Sequence, residues 1–282
     1  MQPSSLAVIG LGAIGGSLAW QSRLAGVTRV IGYSPAPAEG VQALKATAIT
    51  ELADTPERAA KEADLVVLAV PPRATLDLLG PVGAELKANA VLTDVCSVKA
   101  PIVRAAVSAG IGDRFAGSHP LAGTHESGFA SARPDRLRGC VVYICDSGSP
   151  EGHRAASAVS GFWKRTLEAA PILIDAESHD RQLAWTSHLP QAVASVLAKV
   201  LAEQGLGGVS FGSGARDTTR LAASSPEMWA DILLYNREPV RQALERTQLE
   251  AAELCRLLDG GDLAALRRYL ETGRQFRQGI ER

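Results

Sequence analysis

Short apolar runs alternate with longer stretches of helical spacing along the first part of the chain. Residues 6–9, 30–33, 64–70 and 91–94 are compact apolar runs with the length of buried strands. Helical spacing follows the first of these runs over residues 14–24. Such alternation is typical of βαβ units, so it predicts a mostly parallel sheet with helices packed on its faces.

The pattern changes after about residue 175. Three more strands are predicted before that point, at residues 115–117, 141–145 and 171–174. Beyond it, apolar residues recur at helical spacing in three stretches, 177–203, 229–258 and 263–276. The sequence therefore predicts an α/β domain over residues 1–175 and an all-helical domain over residues 176–282.

A glycine-rich segment joins the first predicted strand to the first predicted helix. It has the pattern G-x-G-x-x-G and consists of Gly10, Leu11, Gly12, Ala13, Ile14 and Gly15. In a Rossmann fold the first glycine permits a tight turn, the second lets a pyrophosphate approach, and the third lets helix and strand pack closely. The N-terminus of the helix then offers its free N–H groups to the phosphates. We therefore predict a dinucleotide site, with glycines that only pack a βα turn as the alternative.

The residue after the second predicted strand bears on the choice of dinucleotide. NAD-preferring Rossmann domains carry an Asp or Glu there, which binds the ribose 2′-hydroxyl. Ser34 takes this position, and no arginine follows it to bind a 2′-phosphate. The predicted cofactor is therefore NAD or NADP, with NAD slightly favoured. Val70, Pro71 and Asp94 lie at the ends of neighbouring strands, where ligands of open α/β sheets bind, and we expect them to line the same site.

Two polar segments lie at the ends of predicted strands. In the segment 94–99, Ser97 precedes a predicted helix, so its hydroxyl is a helix N-cap, a catalytic group, or both. In the segment 117–128, His119 follows a short strand and precedes a glycine-rich loop. That setting suits a general base, and a structural histidine is the alternative.

A third polar segment, residues 214–220, follows the predicted loop 205–214. If it is helical, Arg216 and Arg220 lie four residues apart on one face. Two guanidinium groups placed in this way could bind a dianionic substrate. A solvated, charged helix face is the alternative.

Composition narrows the class of protein. Hydrophobic residues make up 46% and charged residues 21% of the chain, and the net charge is −1, so neither nucleic acid nor an anionic membrane is expected as partner. The cysteines lack metal-ligand spacing, so we expect neither a zinc site nor a disulfide framework; they are Cys96, Cys140, Cys145 and Cys255. No stretch has the length of a membrane span or a signal peptide, and a reducing cytoplasm is the expected compartment.

Together, these motifs resemble those of the prephenate/arogenate dehydrogenase family. The matching segments are GLGAIGGSLA, DVCSVK, GSHPLAGTHESG, SHLPQAV around His188, and GARDTTRLA followed by Trp229. They occur in the order and spacing of that family and cover nearly the whole chain. The resemblance implies an enzyme that oxidises a cyclohexadienyl substrate with NAD or NADP and expels its ring carboxylate as CO₂.

The resemblance also implies roles for individual residues. His119 would be the catalytic histidine that accepts the proton of the ring hydroxyl, and Ser97 would hydrogen-bond both this histidine and the substrate hydroxyl. Arg220 would bind a substrate carboxylate. The other substrate-binding residues implied are His188, Thr124, Arg216 and His125. No metal is implied, because aromatisation makes the reaction downhill and leaves the protein mainly to position the reactants.

The family includes enzymes for prephenate and for arogenate. His125 stands where some members have an acidic residue that could meet the ammonium group of arogenate, so prephenate is expected, with arogenate as the alternative. A homodimer through the C-terminal helices is implied. Because the chain ends at Arg282, soon after the last predicted helix, no C-terminal regulatory domain is expected.

Two other classes of Rossmann protein fit the sequence less well. A β-hydroxyacid-type dehydrogenase would carry a catalytic lysine on a C-terminal helix after a glycine-rich run, and no lysine follows Lys199. A non-catalytic NAD(P)-binding sensor would have a degenerate active site. The groups that the catalytic reading needs are all present: Ser97, His119, His188 and Arg220.

Overall fold

The chain begins with strands and helices in alternation, as its apolar pattern predicts. The computed structural model describes residues 3–123, 127–205 and 209–280. Its first elements are β1 (Ser5–Ile9), α1 (Ala13–Leu24), β2 (Arg29–Tyr33), α2 (Pro37–Lys45), β3 (Glu51–Leu52), α3 (Pro56–Lys61), β4 (Leu65–Leu68), α4 (Pro72–Ala84), β5 (Val91–Asp94) and α5 (Ala100–Ser108).

These five strands form one parallel sheet in the order β3-β2-β1-β4-β5. The central strand β1 is covered on both faces, because its side chains alternate between two apolar clusters. Leu6 and Val8 belong to one cluster, and Ala7 and Ile9 belong to the other. All five carboxyl ends therefore lie along one edge of the sheet, which is where ligands of open α/β sheets bind.

A second sheet extends the order of the first. Its elements and the helices beside them are β6 (Ala116–Pro120), β7 (Val141–Asp146), α6 (Pro150–Arg165), β8 (Ala170–Leu173) and α7 (Ala176–Leu183). Strand β6 is antiparallel to β7, which is parallel to β8. A parallel bridge between Leu92 and Phe115 places β6 beside β5. The mostly parallel α/β fold predicted from the sequence is confirmed.

Strand β6 is longer than the sequence indicates. The predicted strand ends at residue 117, whereas β6 continues because Ser118 pairs with Ile144 and His119 pairs with Tyr143 of β7. His119 therefore lies within a strand and does not follow one.

The described residues after α7 are mostly helical, as predicted. They contain a π-helical turn (Ala184–His188), α8 (Leu189–Glu203), α9 (Ser213–Thr219), a 3₁₀ turn (Arg220–Ala223), α10 (Pro226–Tyr235), α11 (Arg237–Gly260) and α12 (Leu263–Ile280).

Two of the predicted helices are interrupted by prolines. Pro190 has no N–H to donate to the carbonyl of Thr186, so the stretch 177–203 is divided into α7, the π-helical turn and α8. Pro239 likewise cannot bond to the carbonyl of Tyr235, and the stretch 229–258 is divided into α10 and α11. These are corrections to the sequence-based reading.

The chain forms two compact units. The first comprises Met1–Leu183 and Ala223–Asn236, and the second comprises Ala184–Ala222 and Arg237–Arg282. The first unit thus includes α7 and α10, which the predicted boundary between residues 175 and 176 assigns to the helical domain. One reason is that Asn236, at the end of α10, donates from Nδ2 to the carbonyl oxygen of Asp180 in α7 at 2.8 Å. The division into domains at residue 175 stays a prediction.

Three further findings concern the part of the chain that the structure describes. None of its helices is long and apolar enough to cross a membrane. None of its histidine, cysteine and carboxylate groups cluster as a metal site would require. The four cysteines carry free thiols.

Candidate active site

The glycine loop between β1 and α1 has the shape that a dinucleotide phosphate requires. Gly10 has a φ of +101°, and a Cβ there would lie 2.3 Å from the carbonyl oxygen of Ala69. A Cβ at Gly15 would lie 1.9 Å from the carbonyl oxygen of Gly10. At Gly12, in contrast, a Cβ would meet no atom within 4 Å. Gly10 and Gly15 are thus needed for close packing, whereas Gly12 faces the open space that a pyrophosphate would enter.

The first turn of α1 offers hydrogen-bond donors to an anion. Gly12 is the N-cap, no side chain caps this end, and the first turn has no acidic residue. Its N–H groups therefore lack intrahelical partners and carry the positive end of the helix dipole. The loop contacts a ligand mainly through its backbone, because Leu11 and Ala13 are buried and Ile14 is half-buried. A dinucleotide fits this arrangement.

Other predicted cofactor residues lie at the same edge of the sheet. Ser34 directly follows β2, and the preceding carbonyl of Tyr33 accepts a hydrogen bond of 2.8 Å from the N–H of Gly10. Val70 is half-buried and Pro71 is exposed, and both follow β4, which pairs with β1. Their contact with a cofactor stays a prediction.

A buried ion pair joins Asp94 at the end of β5 to Lys99. Both side chains are fully buried. Lys99 Nζ also donates to the carbonyl oxygen of Ser118 at 2.7 Å, and the Asp94 carboxylate accepts from the N–H of Cys96 at 2.9 Å. A Cβ at Gly117 would lie 3.1 Å from Asp94 Oδ1, so glycine gives the pair room. The Asp94 carboxylate is enclosed and holds β5 to β6, and the predicted contact of Asp94 with a cofactor stays a prediction.

The strand residue before His119 is fixed from three sides. Besides the contact with Lys99, Ser118 Oγ accepts a hydrogen bond from Trp163 Nε1 at 2.9 Å and lies 2.6 Å from Thr93 Oγ1. Ser118 and Trp163 have no exposed surface. These bonds fix the backbone that carries His119 at the carboxyl end of β6.

His119, His179 and Asp180 form a chain of hydrogen bonds. His119 Nδ1 lies 2.9 Å from His179 Nε2, and His179 Nδ1 lies 2.8 Å from Asp180 Oδ1. A carboxylate can only accept, so Nδ1 of His179 carries a proton and its Nε2 accepts from Nδ1–H of His119. This arrangement leaves the lone pair of neutral His119 on Nε2. Burial lowers the pKa of His179, opposed by Asp180, and so favours its neutral form.

Asp180 also caps a helix. Its two carboxylate oxygens accept the N–H groups of Lys99 at 2.8 Å and Ala100 at 2.9 Å, at the start of α5. The N-cap residue of α5 is Lys99, and no side chain within the helix caps it. The prediction that Ser97 is the N-cap is therefore wrong, because the carboxylate of Asp180 in α7 caps this helix. Ser97 is half-buried, and its hydroxyl has no hydrogen-bond partner within the described ranges, which leaves it open to a substrate.

His188 lies in the second unit. It is the last residue of the π-helical turn, directly before α8, and it is fully buried. A single π-helical turn is a frequent feature of functional sites, because the extra residue redirects the side chains around it. Its role in binding substrate stays a prediction.

The two predicted arginines of the second unit lie four residues apart at the C-terminal end of α9. Arg216 lies within α9, and Arg220 is its C-cap, with helical φ and ψ of −53° and −40°, and begins the 3₁₀ turn. Both side chains are exposed. Arg216 lines an apolar groove of about 640 Å³ with Leu201 and Phe211. The two remaining predicted substrate residues, Thr124 and His125, lie outside the described residues.

The sequence-based reading missed the positioning residues His179 and Asp180. A signal was present, because four residues of α7 share its buried face at helical spacing: Ala176, His179, Asp180 and Leu183. Two polar groups between two apolar ones on one face indicate a buried polar pair. The reading also gave no role to Lys99, although a lysine five residues after an aspartate at a strand end is a possible internal ion pair.

A thiol nucleophile at this edge of the sheet is disfavoured. Burial and the neighbouring charge of Asp94 raise the pKa of Cys96 far above its usual range. Burial also raises the pKa of Cys145 to about 12. Both thiols stay protonated, so His119 is the stronger candidate for reaction chemistry among these groups.

Removing the acceptor that orients His119 should lower kcat with little effect on KM. In His179→Leu, the acceptor for the Nδ1 proton of His119 is removed, and we expect kcat to fall by about tenfold or more, a part of the roughly 10²–10⁴ that a general base contributes. In His179→Gln, the amide oxygen can accept the same proton, so most of the activity should return. Steady-state kinetics of both variants test this, and equal losses in the two would show that His179 only fills space.

Two family models match the chain. One is described as prephenate dehydrogenase, nucleotide-binding domain, and matches residues 18–169. The other is described as prephenate dehydrogenase, dimerization domain, and matches residues 175–272. The prephenate dehydrogenase of Bacillus subtilis is 32% identical over 98% of this chain and 76% of its own length.

Solved structures agree with these matches. The prephenate dehydrogenase of Aquifex aeolicus, in complex with hydroxyphenyl propionate and NAD⁺, superimposes with a TM-score of 0.89 at 28% identity and covers 98% of each chain. The arogenate dehydrogenase of Synechocystis superimposes with a TM-score of 0.81 at 26% identity and covers 98% of this chain and 99% of its own. The similarity in fold thus extends over nearly the whole chain.

Proposed function

Because this chain belongs to the prephenate dehydrogenase family, we propose that it converts prephenate to 4-hydroxyphenylpyruvate and CO₂ while reducing NAD or NADP. The observation that carries the proposal is the chain of hydrogen bonds from Asp180 through His179 to His119. The imidazole of His119, near the carboxyl end of β6, lies at the same edge of the sheet as the glycine loop, which supports this proposal. A base beside a hydride acceptor is what oxidation of a hydroxyl-bearing carbon requires.

The protein's part in the reaction is to move one proton and to hold the substrate. When bound, NAD or NADP would supply a hydride acceptor for the ring carbon that carries the hydroxyl. His119 Nε2 accepts the hydroxyl proton, and the hydroxyl of Ser97 donates to the same substrate oxygen. The bond between the ring and its carboxylate then breaks, its electrons complete the aromatic ring, and the proton returns from His119 to the phenol oxygen. No proton is gained or lost overall.

The cofactor is held by the edge of the sheet described above. The N–H groups at the start of α1 bind the pyrophosphate, and Gly12 gives it access. Val70 and Pro71 line the cleft beside it.

Substrate carboxylates need cationic partners, and we assign this role to Arg220 with support from Arg216, while His188 contributes to substrate binding. In Arg220→Ala, KM for prephenate should rise by about tenfold or more, because a hydrogen bond to a charged group contributes about 1.5–3 kcal/mol. The dissociation constant of the dinucleotide should stay unchanged. Arg246→Ala is a matched control, since that arginine pairs with Glu250 on the exposed face of α11. An unchanged KM in Arg220→Ala would place the carboxylate site elsewhere.

Kinetics with prephenate or arogenate, each paired with NAD⁺ or NADP⁺, test the proposed function. We expect the highest kcat/KM for prephenate. A higher value for arogenate would make the chain an arogenate dehydrogenase that yields tyrosine directly. No turnover in any of the four combinations would contradict the proposal.

Two further assignments belong to the same proposal. The second unit exposes large apolar side chains, Leu249, Leu258, Leu263, Leu270, Phe276 and Ile280, and we assign them to a homodimer interface. Light scattering should then give twice the mass of the chain, and the mass of a single chain would contradict it. The free thiols suit a reducing compartment, and we assign the protein to the cytoplasm.

A further inference from the structure

The end of β2 holds a carboxylate, although the strand does not end in an acid. Ser34 occupies the position where NAD-preferring Rossmann domains carry Asp or Glu. In this chain Glu39, in the first turn of α2, reaches back to that position, and its Oε2 lies 2.6 Å from Ser34 Oγ. The acidic group is therefore supplied from five residues further along the chain.

Two contacts place this carboxylate beside the dinucleotide loop. The residue before Ser34, Tyr33, accepts the N–H of Gly10, so the end of β2 adjoins the loop directly. On its other side, Glu39 approaches Gly128, where a Cβ would lie 3.5 Å from Oε1. The residue after Gly128 is Phe129, whose ring packs on α1, the helix that begins at the loop.

The hydrogen bonds of Ser34 orient the carboxylate. A deprotonated carboxylate only accepts, so the Ser34 hydroxyl donates its one proton to Glu39. The same oxygen accepts the N–H of Ala36 at 3.2 Å, which fixes the direction of that proton. Ser34 is buried and has no second proton to offer a ribose. A ribose hydroxyl bound at this point can therefore donate to Glu39, whereas it cannot accept a proton from Ser34.

The surroundings do not favour a phosphate. The three residues after Ser34, Pro35, Ala36 and Pro37, carry no charge. Glu39 forms no ion pair within residues 3–123, 127–205 and 209–280, so its negative charge is not neutralised by a neighbouring side chain. A 2′-phosphate placed here would meet a carboxylate of like charge, whereas a 2′-hydroxyl would gain a charged hydrogen-bond acceptor.

We propose that Glu39, held by Ser34, binds the adenosine ribose 2′-hydroxyl and makes this protein selective for NAD over NADP. This inference rests on the proposed dinucleotide site and specifies which dinucleotide it takes. It also explains how the site keeps this selectivity without an acid at the end of β2.

Direct binding tests the inference independently of turnover. The dissociation constants of NAD⁺ and NADP⁺ are measured by titration calorimetry for the wild type, Glu39→Gln and Glu57→Gln. Glu57 is the matched control, because it is a half-buried glutamate in the first turn of α3. We expect Glu39→Gln to weaken NAD⁺ binding by about tenfold and to strengthen NADP⁺ binding, because it removes a charged acceptor and a repulsive charge. Glu57→Gln should change neither.

A double variant tests whether a carboxylate at the end of β2 is enough for the selectivity, whichever residue supplies it. In Ser34→Asp/Glu39→Gln the acid returns to the end of β2, and the preference for NAD⁺ should return with it. An unchanged ratio of the NAD⁺ and NADP⁺ dissociation constants in Glu39→Gln would overturn the inference. Failure of the wild type to bind either dinucleotide would contradict the proposed cofactor site itself, and the two failures are thus distinguishable.

Discussion

Replacing His119 with asparagine should lower kcat by roughly 10²–10⁴-fold, the range that a positioned general base contributes. Asparagine keeps a polar group that can donate to His179, but it has no basic nitrogen to accept the hydroxyl proton. The glycine loop lies at another strand end, so the dissociation constant of the dinucleotide should remain close to that of the wild type. Steady-state kinetics and calorimetric titration measure the two quantities.

A matched control is His153→Asn. His153 is an exposed histidine whose Nδ1 lies 2.8 Å from Asp146, and we assign it no part in the reaction. Its kcat should match that of the wild type. If His119→Asn also kept its kcat, the proton acceptor would have to be another group, and the mechanism proposed here would be wrong.

Replacing Lys99 with methionine should lower the free energy of unfolding of the first unit by about 3–5 kcal/mol, the cost of breaking a buried ion pair from one side. Methionine has similar length, so the loss comes mainly from the charge of Asp94, which stays buried without its partner. Denaturation by urea, followed through tryptophan fluorescence to which buried Trp163 contributes, measures the shift in midpoint.

Two further variants show whether this loss of stability comes from leaving a buried charge without its partner. Lys87→Met removes a half-exposed ion pair with Asp64 and should cost no more than about 1 kcal/mol. Asp94→Asn/Lys99→Met removes both charges, and much of the stability should return. Equal losses in the Lys99→Met and Lys87→Met variants would show that burial of the pair has no consequence for stability.

Local patterns explain why the strands and the glycine loop could be predicted. Strand β1 and the loop from Gly10 to Gly15 can be recognised from neighbouring residues alone, because apolar run, turn and helix start follow each other directly in the sequence. His119 stood out since a histidine between a strand and a glycine-rich loop is unusual. Its place within β6 was missed, because pairing with Tyr143 in β7 is a contact between distant residues.

The rest of the site depends on tertiary contacts that no local pattern contains. Asp180 lies in a helix far along the chain, and its carboxylate accepts the N–H groups at the start of α5. It therefore caps this helix, which Ser97 was expected to do. The spacing of Asp94 and Lys99 allows an ion pair, but the burial of that pair depends on β6, where the carbonyl of Ser118 accepts from Lys99 Nζ. Glu39 substitutes for the missing acid at Ser34 because α2 turns back towards β2, which a position-by-position comparison overlooks.

The most direct test of the central claim is the stoichiometry of the products formed from prephenate. The purified protein is incubated with prephenate and NAD⁺, and reduced cofactor, CO₂ and 4-hydroxyphenylpyruvate are measured in the same sample. Hydride transfer coupled to decarboxylation predicts equal amounts of all three, and none in His119→Asn on the same time scale. Aromatic product formed without reduced cofactor, or reduced cofactor formed without CO₂, would contradict the account.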